Sequence, residues 1–197
     1  AFLQEACGPE QIRAAMATPL GYDPAIWTQI ATELGWPCVH IPEEFGGLGL
    51  GYVDLVVLLE AAGEAVLCAP FFSTVALGAN AILEVGSDAQ KAEYLPPIAE
   101  GLKTATLAFS EASGRWDAEA IEATATPDGA DFILEGTKAW VVDGHSADLI
   151  LVAARAPGST GEEGLSVFVV SGDAKGVSCK ALPTMDQTRR IAEVQLS

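Results

Sequence analysis

The sequence predicts an α+β fold in which an α-helical N-terminal domain, residues 1–103, precedes an antiparallel β-sandwich or barrel, residues 104–197. Two observations indicate this order. Apolar residues recur at helical spacing before residue 103, whereas after it the apolar period falls to two and turn residues separate short segments. No helical pattern interrupts the later segments, which favours antiparallel pairing of the strands.

The first helices of the N-terminal domain carry recognisable end signals. Residues 1–16 have helical spacing, and a second helical pattern covers residues 24–34. Asp23 is expected to cap that helix, with Pro24 in its first turn and Gly35 after its last. One apolar stripe joins five of its residues: Ile26, Trp27, Ile30, Ala31 and Leu34.

Three more helices are expected before residue 103. One covers 51–67, and the next, 72–85, is apolar on nearly every side, which predicts a helix buried in a larger assembly or lining an apolar pocket. The last begins at Ser87, which has the capping-box spacing to Gln90, and is expected to end at Pro96–Pro97.

Short strands with turn signals between them fill the second domain. The dipeptide Asp128-Gly129 predicts a tight hairpin between two of them. Eight strands are expected, near residues 104–110, 119–126, 131–135, 138–143, 147–155, 164–171, 176–182 and 190–197.

Composition excludes several classes of protein. The 27 acidic and 10 basic residues give a formal net charge of −17, which disfavours nucleic-acid binding. No apolar run approaches the about 18 residues of a membrane span. The four cysteines are widely separated, so we expect reduced thiols in a cytoplasmic protein, not a zinc site. They are Cys7, Cys38, Cys68 and Cys179.

No self-sufficient catalytic or metal motif is present. His40 and His145 lack partners at metal-ligand spacing, so no metal site is expected. The glycine-rich stretch EEFGGLGLG, residues 43–51, follows a helix and not a strand, so it is interpreted as a tight connection with positive φ angles, in preference to a phosphate-binding loop.

A tryptophan lies in the middle of one predicted strand, in the stretch EGTKAWVVDGHSADLILVAAR at residues 135–155. Trp140 can pack in a core, with its indole N–H bonded to an acceptor, or it can form a flat wall for a flat cofactor. The residues alone do not decide between these two interpretations of Trp140.

Four motifs in order carry a family resemblance: LGW…IPEEFGGLGLG, GSDAQKAEYLPPIAEG, LAFSEASGRWD and LEGTKAWVVDGHSADLILVAA. Together they resemble the acyl-CoA dehydrogenase family, from its second helix through its middle β domain, over residues 24–197. The resemblance implies FAD as cofactor, an acyl-CoA thioester as substrate, and a homo- or heterotetramer.

It also implies a C-terminal helical bundle after residue 197, which supplies the catalytic base and is absent from this sequence. No catalytic residue is therefore assigned, and a truncated chain is favoured over a bundle that was lost or is supplied by another chain.

The resemblance also implies cofactor contacts. Trp140 matches the tryptophan that flanks the flavin, and Ser110 stands where a threonine is usual. Glu111 is interpreted as a brace of its loop and Lys138 as a solvated lysine. The implied flavin contacts are Leu107, Phe109, Ser110, Trp116, Trp140 and Val142, and the implied substrate contacts are Ser110 and Trp116.

Two positions depart from the family pattern. Arg115-Trp116-Asp117 replaces a small Gly-Ser-Asp turn, and Val142 replaces a serine or threonine whose hydroxyl can donate to flavin N5. These departures, with the motifs PLGYDPA and GRWD, resemble an actinobacterial subgroup that acts on CoA thioesters of steroid side chains.

Three functions remain open. The chain is the N-terminal and middle part of a flavin-dependent acyl-CoA dehydrogenase, a non-catalytic partner subunit of a heteromeric one, or a flavin monooxygenase of the same fold. Six basic residues of the β half are available to the anionic phosphates of CoA. They are Arg115, Lys138, Lys175, Lys180, Arg189 and Arg190.

Overall fold

The computed structural model describes residues 2–197, which divide into two compact units. The first contains the chain through Ala105 together with Met185–Arg189. The second contains Thr106–Thr184 and Arg190–Ser197. Among the described residues, no helix has both the length and the apolar character needed to cross a membrane.

The first unit is helical and packs around one apolar cluster that includes Trp27, Ile30, Leu55, Phe71 and Val75. Two stretches of π-helix, Gln29–Glu33 and Ser73–Ala79, extend its α-helices. The α-helices are α1 (Phe2–Ala6), α2 (Pro9–Ala17), α3 (Pro24–Thr28), α4 (Tyr52–Glu64), α5 (Asn80–Val85) and α6 (Asp88–Ala99).

The predicted helix starts are confirmed by their hydrogen bonds. Asp23 Oδ1 accepts from the backbone N–H of Ala25 at 2.8 Å. In the capping box of α6, the Ser87 hydroxyl accepts from Gln90 N–H at 3.3 Å, and Gln90 Oε1 accepts from Ser87 N–H at 2.9 Å. Gly35 adopts the left-handed conformation, with φ 63°, as expected at a helix end.

The predicted end of α6 is wrong, because Pro96 and Pro97 lie inside the helix. Proline removes its own N–H but keeps a carbonyl and a helical φ. The Pro96 carbonyl accepts from Glu100 N–H at 3.0 Å and the Pro97 carbonyl from Leu102 N–H at 2.9 Å. Burial of Ile98 at 0% exposure adds the apolar contacts that keep this last turn helical.

Apolar exposure on the first unit is found on α4. In the segment 72–85, predicted to be apolar on nearly every side, Val75, Ala79 and Ile82 are buried, whereas Phe72 and Val85 at its two ends are exposed. On α4, Val53 and Val56 are 79% and 57% exposed. The apolar pattern of 72–85 therefore marks a core element.

The glycine-rich stretch 43–51 is a tight connection, as expected. Gly46 and Gly49 have φ angles of 84° and 63°. Backbone N–H groups of the stretch bond to carbonyls of the residues just before it, including Gly49 N–H to Ile41 O at 2.9 Å and Leu50 N–H to Val39 O at 3.0 Å. These donors are occupied, so the geometry does not form a phosphate cradle.

The second unit is built on one seven-stranded mixed sheet. Its strands are β1 (Ala105–Ala108), β2 (Thr124–Asp128), β3 (Asp131–Val142), β4 (Leu149–Arg155), β5 (Leu165–Ser171), β6 (Val177–Ala181) and β7 (Ile191–Leu196). The strand order is β1-β4-β2-β3-β7-β6, and β5 pairs with β4. The β2–β4 pairing is parallel, and the other pairings with a recorded register are antiparallel.

The hairpin predicted at Asp128-Gly129 is confirmed, since Asp128 pairs with Asp131 and Gly129 has φ 65°. The strands differ from the prediction at two other places. The two strands expected at 131–135 and 138–143 are one continuous strand, β3. The strand expected at 119–126 begins later, because Ala118–Ala120 forms a 3₁₀ turn. Seven strands therefore replace the eight expected.

Candidate functional site

A β-bulge in β3 turns Trp140 toward solvent. The pairing of β3 with β7 matches Lys138 with Val194 and Val141 with Ala192, so two residues of β3 lie opposite one of β7. Lys138 and Val141 are buried, whereas Trp140 is 54% exposed. In a regular strand Trp140 would lie on the same face as Lys138. The bulge separates them.

The backbone of Trp140 is strained. Its φ angle is 61°, in the left-handed region that bulky residues rarely occupy and that costs roughly 1–3 kcal/mol. Such strain is concentrated at functional sites, where the displayed side chain is needed in one orientation. A half-exposed indole ring held in this way has the shape of a platform for a flat ligand.

A buried hydroxyl without a partner lies next to the bulge. The backbone N–H of Ala139 donates to the Ser110 carbonyl at 2.9 Å. Ser110 is 5% exposed, and its Oγ has no hydrogen-bond partner among the described residues. Leaving a buried hydroxyl unpaired costs about 1–3 kcal/mol. Ser110 is therefore suited to a ligand that supplies the missing hydrogen bond.

A buried ion pair follows directly after Ser110. Lys138 Nζ donates to Glu111 Oε1 at 2.6 Å, with side-chain exposures of 0% and 8%. The Glu111 carboxylate also accepts from the backbone N–H groups of Glu122 at 2.9 Å and Ala123 at 3.0 Å. Burial lowers the pKa of Lys138, and the hydrogen bond and charge of Glu111 act in the opposite direction.

Glu111 therefore braces its loop, but the expectation of a solvated Lys138 is wrong. The lysine is drawn inside because Glu111, the residue after Ser110, carries the opposite charge. It cannot contribute to a surface patch for CoA phosphates.

A second anchor, Arg155, was missed by sequence reasoning. Arg155 is buried and donates to the carbonyls of Ala118 at 2.6 Å, Ile121 at 2.5 Å and Gly161 at 3.0 Å. The available signal was a lone arginine closing the apolar strand β4. With Glu111, it holds both ends of the loop 112–120.

The unusual Arg115-Trp116 pair lies on the surface. Trp116 is 80% exposed and meets the edge of the Phe109 ring, with centroids 5.5 Å apart. Arg115 forms an exposed two-bond pair with Asp117, at 2.7 and 2.9 Å, and contacts Glu119 at 3.5 Å. Acidic neighbours thus compensate its charge.

Two neighbouring segments hold five of the six implied flavin contacts. Leu107, Phe109 and Ser110 lie on the first, and Trp140 and Val142 on the second. The Thr106 hydroxyl donates to the Val142 carbonyl at 2.6 Å, and Ala139 N–H to Ser110 O joins the same segments. Trp116 reaches them through Phe109. The Val142 side chain itself offers no hydrogen bond.

No metal centre lies beside these residues. Within residues 2–197, no three acidic, histidine or cysteine side chains are placed to hold a metal ion. All four cysteines are free thiols.

The sequence matches two family models over nearly its whole length. Residues 1–102 match the acyl-CoA dehydrogenase N-terminal domain, and residues 106–197 match the acyl-CoA dehydrogenase middle domain. Acyl-CoA dehydrogenase FadE12 of Mycobacterium tuberculosis is 35% identical over 157 residues, which are 78% of this chain and 40% of that protein.

Solved structures share the fold. The Tcur3481-Tcur3483 steroid ACAD is 32% identical, with a TM-score of 0.86 over 100% of this chain and 52% of that one. The ChsE4-ChsE5 complex from Mycobacterium tuberculosis is 26% identical, with 0.86 over 100% and 50%. Acyl-CoA dehydrogenase complexed with FAD from Bacillus anthracis is 25% identical, with 0.87 over 99% and 33%. The chain thus spans about half, or less, of the proteins it matches.

Proposed function

This chain belongs to the acyl-CoA dehydrogenase family, and we propose that it forms the flavin-facing part of an FAD-dependent oxidoreductase that desaturates an acyl-CoA thioester between Cα and Cβ. The observation that carries the proposal is the bulge that presents Trp140 beside the unpartnered hydroxyl of Ser110. The FAD complex of a related dehydrogenase supports the choice of cofactor.

The residues present fit a flavin ring. The exposed indole of Trp140 would cover a ring face, and the Ser110 hydroxyl would bond to a polar ring edge. The half-buried Leu107 and Phe109 would add apolar contacts. When bound, FAD would accept the two electrons and the hydrogen that leave the substrate as the α proton is removed.

The role of this chain is orientation. The buried Glu111–Lys138 pair holds the residue that follows Ser110, and Arg155 holds the far end of the loop 112–120, so the ring would meet a rigid wall and water would be kept from one face. Glu111 already accepts three hydrogen bonds, which makes it a poor acceptor for the substrate proton. We assign the proton acceptor to no residue of this chain.

A partner-subunit role is the second candidate, and Val142 favours it. Without a hydroxyl at this position, the chain offers no side-chain donor where a family member usually provides one. The similarity to the ChsE4-ChsE5 complex supports assembly with a second dehydrogenase chain, and the similarity to a steroid ACAD supports a steroid side-chain thioester as substrate.

Flavin content separates the two candidates. The protein is purified alone and then together with a candidate partner dehydrogenase chain. The visible flavin absorbance is measured before and after anaerobic addition of a long-chain or steroid acyl-CoA. Flavin bound by the protein alone and bleached by the thioester supports the catalytic role. Flavin that is bound only with the second chain supports the partner role, and absence of flavin from both preparations contradicts the proposed function.

A further inference from the structure

Two consecutive cross-bonds join the segment of Ser110 to the segment of Trp140. The Ser110 carbonyl accepts from Ala139 N–H at 2.9 Å, and Glu111 Oε1 accepts from Lys138 Nζ at 2.6 Å. The two residues proposed to touch flavin therefore flank the ion pair directly. We propose that Glu111 and Lys138 are positioning residues, which hold the Ser110 hydroxyl and the Trp140 indole in the register that FAD requires; this rests on the proposed function.

The bulge makes such support necessary. Register contacts with β7 are made by Lys138 and Val141, whereas Ala139 and Trp140 between them have no paired residue there. The recorded backbone bond of Ala139 runs instead to Ser110. A strained φ at Trp140 persists only where its surroundings determine it. The ion pair supplies that constraint one residue before the bulge.

The polar groups of the pair are well satisfied. In addition to the ion pair, the Glu111 carboxylate accepts from two backbone N–H groups, and Lys138 Nζ donates to the Phe109 carbonyl at 3.4 Å. A buried ion pair adds little net stability over a neutral pair of similar volume, because desolvation offsets the attraction. Removing one partner is costly, however, because it leaves an unpaired buried charge. Stability and positioning can therefore be separated by experiment.

The test compares Glu111→Gln, Lys138→Met and the double variant in the whole protein. Each single variant leaves one buried charge unpaired and is expected to lower the melting temperature. The double variant leaves none and is expected to recover most of it. If the pair positions the flavin contacts, FAD affinity falls about tenfold in all three, which corresponds to the loss of one good contact. If affinity returns with the melting temperature in the double variant, the pair is only structural and the inference is overturned.

A matched control addresses general destabilisation. Val194 is buried opposite Lys138 on β7, so Val194→Ala lowers stability close to the pair without touching the proposed contacts. Its FAD affinity is expected to remain within about twofold of wild type. A tenfold loss in this control would show that affinity merely follows stability, and it would overturn the inference.

A readout without flavin separates this inference from the proposed function. The indole N–H resonance of Trp140, identified with Trp140→Phe, is expected to shift in flavin-free Lys138→Met and in the double variant, and to stay in place in Val194→Ala. If wild type binds no FAD but the resonance shifts as expected, the proposed function fails and the positioning of Trp140 stands. An unshifted resonance together with unchanged FAD affinity contradicts the positioning role.

Discussion

Replacing Trp140 by glycine and by alanine separates the strain of its backbone from the contacts of its side chain. Both changes remove the same indole ring, so their difference in stability reports the backbone at φ 61°. In an ordinary strand glycine is less stable than alanine by roughly 0.5–1 kcal/mol. The left-handed conformation costs alanine roughly 1–2 kcal/mol that glycine does not bear. We therefore expect Trp140→Gly to be more stable than Trp140→Ala by about 0.75 kcal/mol, the difference between the midpoints of the two ranges and a reversal of the usual order.

The comparison is best made by amide hydrogen exchange of β3 and β7 during denaturant titration, because the chain contains two compact units and its unfolding need not be two-state. Ile133 provides the control: it is half-exposed on the same strand and is not among the residues with positive φ. There, glycine should be less stable than alanine. If Trp140→Ala is the more stable of its pair, as at Ile133, the backbone at Trp140 is not strained and the explanation of the bulge is wrong.

Three other substitutions address Arg155, His40 and Val142. Arg155→Met should lower the free energy of unfolding of the second unit by about 2–4 kcal/mol, because one buried carbonyl and two part-buried ones lose their donor. Arg115→Met, in an exposed pair, should change that free energy by less than about 1 kcal/mol in the same denaturant titration. Burial lowers the pKa of His40, so the unfolded chain takes up the proton first as the pH falls below about 6.5. The stability that the first unit has above that pH should therefore be lost below it, by at most about 1.4 kcal/mol per pH unit. The variant His40→Gln should lack this pH dependence of the free energy of unfolding. Threonine has nearly the shape of valine and adds a hydroxyl, so Val142→Thr should tighten FAD binding several-fold, or roughly 1 kcal/mol, in a fluorescence titration if the missing hydroxyl weakens the site. Unchanged FAD affinity would show that position 142 does not face the flavin.

Local signals predicted the helix starts well, because a cap depends on residues three or fewer apart. Asp23 and Ser87 begin their helices as expected, with the hydrogen bonds that their side chains require. The end of α6 was not predictable in this way. Pro96 and Pro97 normally stop a helix, but burial of Ile98 and the acceptors of the last turn extend it, and these depend on packing that a local pattern does not contain.

The candidate site shows the same division. Trp140 was identified from its strand, but two separate strands were expected where the structure has one, because Gly136 between them resembles a turn residue and yet pairs with Leu196 of β7. Lys138 was expected in solvent, since lysine is rarely buried unless paired, and its partner Glu111 is 27 residues away. Arg155 was missed because its partners are backbone carbonyls, which leave no trace in the sequence.

FAD binding by Trp140 variants shows whether the bulge of β3 holds the flavin. The wild-type protein, Trp140→Ala and the control Ile133→Ala are dialysed to equilibrium against FAD, each with and without a candidate partner dehydrogenase chain. Bound flavin is measured by absorbance. We expect wild type and Ile133→Ala to bind FAD alike, and Trp140→Ala to bind at least about tenfold more weakly, because a stacked aromatic ring is lost. Equal binding by all three proteins, or no binding by any of them under either condition, would contradict the assignment of this bulge as the flavin platform.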